Sequence, residues 1–160
     1  MSQPSDPKRI VIRDRVITVL KAITKGSDYF YEPFEVTKRF IHWREAKGYP
    51  TYMVHSDSGG ENITLSNHQF DSTFYLSVKG VFNGDIDDPQ IAVFRGHKDI
   101  RKAIDYDSHS GGAGSLLALG VLVKFEEQPI TDNGYASLEG PFSFFDQRIG
   151  FRLITDFSEF

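Results

Sequence analysis

Apolar side chains recur at intervals of three or four residues near the start of the chain. They are Ile12, Val16, Val19, Leu20 and Ile23. This spacing places them on one face of an α-helix. Asp6 is a suitable N-cap, Pro7 suits the first helical position and Gly26 suits the end of the helix. The pattern predicts an amphipathic helix over residues 7–23.

Strand patterns follow this helix. An aromatic stretch at 29–43 predicts a first strand, and residues 51–55 predict a short second one. Residues 56–67 are rich in Gly, Asp and Asn, which predicts a long exposed loop. Apolar and polar side chains then alternate over 69–82. We therefore expect a long strand there, antiparallel to the strand before the loop.

The second half of the chain predicts one helix and two more strands. Apolar spacing after a turn at 83–88 predicts a helix over 89–104, and the Gly/Ser/Asp-rich residues 105–115 predict a flexible loop. Residues 116–129 and 142–155 predict strands, joined by a turn around Asp132-Asn133-Gly134.

This order of elements predicts an α+β fold. It consists of an antiparallel or mixed β-sheet of about four to five strands, with two helices packed on one face. The chain has 160 residues, which favours a single domain over residues 1–160. Residues 1–6 and 156–160 are expected to be flexible ends of that domain.

The composition excludes several kinds of chemistry. The chain has no Cys, which removes disulfides, zinc–thiolate sites, iron–sulfur clusters and thiol catalysis. Its five His residues show no metal-ligand spacing. The Asp85–Asp88 region lacks the glycine and the final acid of a calcium loop, and residues 111–115 lack the Lys-Ser/Thr pair of a phosphate loop. We expect no cofactor, no metal site and no enzymatic activity.

Charge and aromatic content point to contacts between proteins. Residues 1–52 hold ten Lys/Arg and six Asp/Glu, whereas the whole chain has a net charge of −4. Aromatic residues make up 14% of the chain, and they suit a core and a subunit interface better than a stacking platform for single-stranded nucleic acid, which needs a basic groove. No sequence-specific nucleic-acid binding is expected. The longest apolar run, at 116–123, is too short to cross a membrane.

Several segments together resemble a known family. They are the helix segment Ile12-Arg13-Asp14-Arg15-Val16-Ile17-Thr18-Val19-Leu20, the aromatic strand with Val36 and Arg39, the Tyr49-Pro50 entry to a short strand, and the final strand pair around Thr131-Asp132-Asn133-Gly134. In element order the chain resembles the tail terminator (tail completion) proteins of long-tailed bacteriophages, the class of the lambda minor tail protein U. The resemblance covers residues 7–154, apart from the extra aromatic stretch at 29–34, to which no role is assigned.

The resemblance implies a structural virion protein. Such proteins form a ring, usually a hexamer, that caps the tail tube and stops its polymerisation. The ring also presents a surface for head-completion or connector proteins at the head-proximal end of the tail. Assembly takes place in the cytoplasm of the bacterial host, and DNA passes through the ring lumen. The implied partners are further copies of the chain, the tail tube protein and the head-completion protein.

The family also implies candidate contact residues. We expect the first strand, with Phe34, Val36 and Phe40, to meet the C-terminal strand pair of a neighbouring subunit. Charged contacts with acidic neighbours are expected from Arg13, Arg15, Lys38 and Arg39. Assembly loops that order on docking are expected at Asp57, Gly59, Gly60 and Glu61, and at Asp107, His109, Gly111 and Gly112.

Two alternative functions remain open. One is a neighbouring phage component, either a tail tube subunit or a head–tail connector protein. The other is a small α+β ligand-binding module or enzyme, which a deep apolar pocket in a monomer would favour.

Overall fold

A computed structural model describes residues 7–26, 28–66, 68–83, 89–126, 135–137 and 140–156. The elements, in chain order, are helix α1 (Lys8–Lys21), strand β1 (Glu35–Thr37), a 3-10 turn (Trp43–Glu45), strands β2 (Thr51–Thr64) and β3 (Gln69–Asn83), helix α2 (Pro89–Ser110), and strands β4 (Leu122–Phe125), β5 (Tyr135–Ser137) and β6 (Gly140–Asp156). The predicted helices at 7–23 and 89–104 and the predicted strands at 69–82 and 142–155 are confirmed as elements. The predicted ends of the first helix are wrong, because Pro7 is its N-cap and Ala22, not Gly26, caps its C-terminal end. Asp6 lies outside the described residues.

The strands form one mixed sheet. Its order is β1-β2-β3-β6-β4, and β5 pairs with the start of β6. Only β1 and β2 are parallel, and the other pairs are antiparallel. The central pair, β3 and β6, runs in unbroken register from Gln69↔Asp156 to Asn83↔Phe142. The α+β class with a mixed sheet and two helices is therefore confirmed.

One face of the sheet carries the hydrophobic core. Paired residues of neighbouring strands share a face, so the register places Tyr52, Leu76 and Ile149 on the same side. These residues belong to one buried cluster with Ile12 of α1 and Ile100 of α2. Both helices therefore cover this face. The opposite face carries the charged residues described below.

The first predicted strand, at 29–43, is wrong over most of its length. Only Glu35–Thr37 pairs as a strand. The backbone N–H groups of Phe30 and Tyr31 instead donate to the carboxylate of Asp99, both at 2.9 Å. Farther along, the side chain of His42 accepts from the backbone N–H of Arg44 and caps the 3-10 turn. In this stretch, backbone N–H groups that would pair with a neighbouring strand instead donate to side-chain acceptors.

The predicted loop at 56–67 is also wrong, because β2 continues to Thr64. The register with β3 shifts between Ser56 and Gly60, which marks a bulge. Gly59 and Gly60 have φ angles of 96° and 137°, in the region that favours glycine. The glycines therefore form a bulge within a long hairpin.

Two further predictions after residue 104 are corrected. The predicted loop at 105–115 begins inside α2, which extends to Ser110. The predicted strand at 116–129 is reduced to β4. Backbone bonds from Leu119 to Ser115 and from Val121 to Leu116 form turns before β4, with Gly120 at a φ of 69°. The predicted turn at 83–88, apart from Asn83, and the predicted turn at 132–134 lie outside the described residues.

Candidate interaction surfaces

The two edges of the sheet are only partly paired. β1 pairs with β2 only over Thr51–Met53. Among the described residues, β2 has no strand partner on that side from Val54 to Thr64. At the other edge lies β4, four residues long, which pairs with β6 and with no other strand in the described part of the chain. Unpaired edge strands expose backbone N–H and C=O groups that another chain can bind.

Large apolar side chains are exposed along these edges. Phe34 and Phe40, on either side of β1, are 60% and 69% exposed. Ile63, on the unpaired part of β2, is 56% exposed, and Leu122, on β4, is 67% exposed. Clusters of exposed apolar groups mark sites of protein association. Both edges therefore have the character of contact surfaces.

Three apolar residues were expected at a ring contact, and two of them, Phe34 and Phe40, have mostly exposed side chains. Val36, between them, is 6% exposed and belongs to the hydrophobic core. It lies on the side of β1 that faces α1, so its side chain is not available to another subunit.

The four cations expected to meet acidic neighbours have different surroundings. Arg13 and Lys38 both contact the carboxylate of Asp14, at 3.2 Å and 2.8 Å. The hydrogen bond from Lys38 is the largest influence on Asp14 and helps to hold its pKa below the ordinary value. Arg39 is exposed. Arg15 instead faces the second helix, where it pairs with Asp107, so Arg15 is engaged within the subunit.

The first group of expected assembly-loop residues lies at the β2 bulge. Arg148 of β6 holds this region, with its guanidinium 3.3 Å from Asp57 and 2.8 Å from the carbonyl oxygen of Ser58. It also pairs with Glu126 at 3.1 Å and lies over the ring of Tyr75. Asp57, Gly59 and Gly60 are therefore part of an ordered junction, and exposed Glu61 extends beyond it.

The second group of expected assembly-loop residues is placed differently from the prediction. Asp107 is buried in α2, and the Nδ1 atom of His109 lies 2.9 Å from the carbonyl oxygen of Asp105. Gly111 and Gly112 directly follow the helix. The buried position of Asp107 removes it from any docking surface.

A shallow apolar groove lies on the face of the sheet opposite the helices. Its volume is about 370 Å³. It is lined by Phe40, Ile41, His42, Trp43, Met53, Lys79, Gly80, Val81, Phe144, Phe145 and Asp146. Trp43 and Tyr49 pack on Phe142 beside it, at centroid distances of 4.8 Å and 5.3 Å. The segment after β1 thus covers this end of the sheet and leaves the groove next to exposed Phe40.

A second groove lies between α2 and β4, and we call it the α2 groove. Its volume is about 580 Å³. It is lined by Phe94, His97, Lys98, Arg101, Lys102, Asp105 and Phe125. The sequence reasoning missed it, although Arg95, Lys98 and Arg101 recur at helical spacing and indicated a basic helix face. The missing information was the position of β4, which brings Phe125 to this face.

Aromatic rings hold the cations of this region in place. Arg95 and Lys98 lie over the ring of Phe30, at 5.1 Å and 5.6 Å, and Arg101 lies over Phe125 at 4.9 Å. Within the described ranges, none of these three cations has a carboxylate at ion-pair distance. Lys102, in contrast, pairs with Asp28 at 2.9 Å. The α2 groove therefore carries the cations Lys98 and Arg101 without ion-pair partners in the described part of the chain, beside the carboxylate of Asp105.

Two polar groups of α2, the partly buried His97 and the buried Asp99, hold the surroundings of the α2 groove in place. His97 shares a hydrogen bond with Gln147 of β6, and burial lowers the pKa of His97. The imidazole is therefore neutral near pH 7. Asp99 accepts the N–H groups of Phe30 and Tyr31, and burial raises the pKa of its carboxyl group. Asp99 thereby anchors the segment before β1 to α2.

Within the ranges given above, no three His, Cys, Asp or Glu side chains come close enough to share a metal ion. In the same part of the chain, no helix is long and apolar enough to cross a membrane. Comparison of the sequence with known protein families and with curated proteins finds no match.

Proposed function

We propose that the chain is a ring-forming structural subunit of the phage tail terminator type. The ring caps the tail tube, stops the addition of tube subunits and presents a surface for the head-completion protein. The observation that carries the proposal is the pair of unlike, partly unpaired edges of one sheet. A closed ring needs such a pair, because each subunit must offer two different complementary patches.

The positions of the two edges favour a head-to-tail contact. β1 and the free part of β2 lie at one end of the strand order, and β4 lies at the other. Strand pairing between the edge of one copy and the opposite edge of the next would satisfy exposed backbone groups of both copies. The exposed Ile63 and Leu122 would add apolar contact at such a junction. Repetition of this contact gives a ring when the rotation closes.

The element order and the remaining surfaces are compatible with this role. A helix, a long hairpin, a second helix and C-terminal strands follow one another as the resemblance to tail terminators implies. The apolar groove beside Phe40 and Trp43 lies on the sheet face, away from both helices. It is therefore free to meet the tail tube or head-completion protein while the edges hold neighbouring subunits.

The test is the assembly state of the purified chain, alone and mixed with its tail tube protein. Light scattering and negative-stain electron microscopy are expected to give rings of one size, and tubes that stop growing once they are capped. Monomers that leave tube growth unlimited would overturn the proposal. Open filaments of the chain alone would instead identify a tube subunit.

Edge variants make the test specific. Ile63→Lys and Leu122→Lys place a charge at exposed edge positions and are expected to prevent ring formation without unfolding the subunit. Val11→Lys is the control, since Val11 is an exposed apolar residue of helix α1 and not of an edge strand. If both edge variants form rings as readily as the control, these edges are not the contact surfaces.

A further inference from the structure

An acidic and aromatic segment connects Phe30, over which Lys98 of the α2 groove lies, to β1 at the edge of the sheet. It is Glu32-Pro33-Phe34-Glu35, which leads into β1, and we call it the acidic segment. Glu32 and Phe34 are exposed, and the ring of Phe34 lies over Gly48. Neither Glu32 nor Glu35 has a cationic side chain at ion-pair distance among the described residues. The segment thus carries negative charge around one exposed aromatic ring.

The α2 groove has the complementary chemistry. Lys98 and Arg101 form no ion pair in the described part of the chain, although Asp105 also lines the groove, and Phe94 and Phe125 supply apolar walls. Phe94 is half exposed, so much of its side chain is available for contact. Complementary charge favours the correct encounter of two surfaces, and a buried aromatic ring supplies contact energy.

We propose that the α2 groove of one copy binds the acidic segment of the neighbouring copy. Phe34 enters between Phe94 and Phe125, and its flanking carboxylates meet Lys98 and Arg101. The proposal rests on the ring proposed above and specifies its subunit contact.

Within one subunit the acidic segment does not pair with the groove. Lys98 lies over Phe30, two residues before Glu32, yet neither Glu32 nor Glu35 lies at ion-pair distance from Lys98 or Arg101 among the described residues. Asp99 binds the N–H groups of Phe30 and Tyr31, and Glu35 pairs with Thr51 in the sheet, so both ends of the segment are held in place. β1 and β4 are separated by four strand spacings, which is about 19 Å across the sheet. A head-to-tail neighbour brings the two opposite edges together.

A protein segment suits the groove better than a nucleic acid does. Binding of single-stranded nucleic acid needs a basic groove that follows the phosphate backbone. The carboxylate of Asp105 lines this groove beside Lys98 and Arg101, which disfavours a phosphate backbone. Two cations next to Phe94 and Phe125 instead match the two carboxylates that flank the single ring of Phe34.

The first experiment reverses the charges. K98E/R101E and E32K/E35K are each expected to lose ring assembly, and the combination of all four substitutions is expected to restore it. K98R/R101K keeps the charge and is expected to assemble, as is K21E, which changes an exposed lysine outside the groove. Thermal unfolding verifies that each variant is folded.

The outcomes separate this inference from the proposed function. Rings that form normally with K98E/R101E overturn the contact but leave the ring-forming role intact. Folded charge variants that both lose assembly, without recovery in the four-fold variant, also overturn it. If the parent chain forms no ring at all, the proposed function fails and a direct binding experiment decides the contact.

The direct experiment adds a peptide of residues 30–37 to the full chain. Binding is followed by fluorescence anisotropy of a labelled peptide. The K98E/R101E variant is expected to bind it about tenfold or more weakly than the parent, and a peptide with Gln at positions 32 and 35 is expected to bind the parent weakly. Absence of binding to a monomeric parent overturns the inference. A single-stranded oligonucleotide is tested as a competitor beside unlabelled peptide. If the oligonucleotide displaces the labelled peptide at a lower concentration than the unlabelled peptide does, the groove binds nucleic acid and the inference is overturned.

Discussion

Arg15 of α1 and Asp107 of α2 form a two-point ion pair between residues 92 positions apart. The Nε and Nη2 atoms of Arg15 donate to the two carboxylate oxygens of Asp107 at 3.0 Å and 2.5 Å. The same carboxylate accepts the N–H of Leu116 at 2.9 Å. One largely buried side chain thus connects both helices and the turn that follows α2.

Arg15→Met is expected to lower the free energy of unfolding by about 3 kcal/mol, because it leaves the buried Asp107 carboxylate without its cation. Urea denaturation measures the loss. Arg13→Met is the matched control, since Arg13 pairs with the more exposed Asp14, and should cost less than about 1 kcal/mol. Equal losses in the two variants would show that the Arg15–Asp107 pair has no special structural role.

The Arg15–Asp107 pair also predicts loss of stability in acid. Burial alone would raise the pKa of Asp107, but the hydrogen bonds from Arg15 and from the Leu116 N–H together hold it below the ordinary value. The unfolded state therefore takes up this proton first as pH falls. The contribution of the pair is complete above about pH 4 and is lost as pH falls through the lowered pKa. Urea midpoints between pH 2 and 5 should fall less steeply for Arg15→Met than for the parent.

His97 predicts a second pH dependence, at higher pH. Burial lowers the pKa of His97 in the folded chain. As pH falls below about 6.5, the unfolded state is protonated before the folded state, so stability decreases. His97→Gln lacks this titrating group, so its thermal unfolding midpoint should change less between pH 7 and pH 5 than that of the parent chain. His68→Gln, at an exposed position, should follow the parent curve, and a parent curve that is itself flat would contradict the expectation.

For the substitution Gly96→Ala, helix propensity alone predicts a more stable fold, whereas the packing around Gly96 predicts a less stable one. Alanine at a helical glycine position favours the helix by about 1 kcal/mol. At Gly96, however, an added Cβ would overlap the ring of Phe82. We expect Gly96→Ala to destabilise the fold by about 1–3 kcal/mol. In urea denaturation Gly112→Ala, where nothing lies within 4 Å, should be nearly neutral, and Phe82→Leu should partly rescue Gly96→Ala.

The sequence predicted an element best where its apolar residues recur at a regular interval, every three or four residues for a helix and every second residue for a strand. Both α1 and β3 have such patterns, and their predicted positions are confirmed. It failed where a distant partner determines the local structure. Asp107 lies in a polar stretch typical of a loop, yet Arg15 holds it inside a helix. Likewise, glycines near Ser56 resemble a loop but form a bulge, because β3 supplies the pairing on both sides of it.

The α2 groove was missed for the same kind of reason. Lys98 and Arg101 lie in the part of the chain after residue 52, where Asp and Glu outnumber Lys and Arg, so the net charge of that part is negative. Charge summed along the sequence cannot show that cations gather on one helix face beside Phe125, which is 24 positions beyond Arg101. The inward position of Val36, next to exposed Phe34, could not be read from the sequence because it depends on the packing of α1.

Tyr52 supplies a test in which removal of a polar group stabilises the fold. Its side chain is fully buried, and its hydroxyl has no hydrogen-bond partner among the described residues. An unsatisfied buried hydroxyl opposes folding, so Tyr52→Phe should raise the free energy of unfolding by about 1 kcal/mol. Tyr49→Phe should act in the opposite direction by a similar amount, because the Tyr49 hydroxyl donates to the carbonyl oxygen of Trp43 at 3.1 Å. Urea denaturation of both variants measures the difference, and a loss of stability in Tyr52→Phe would mean that its hydroxyl has a partner in the folded chain.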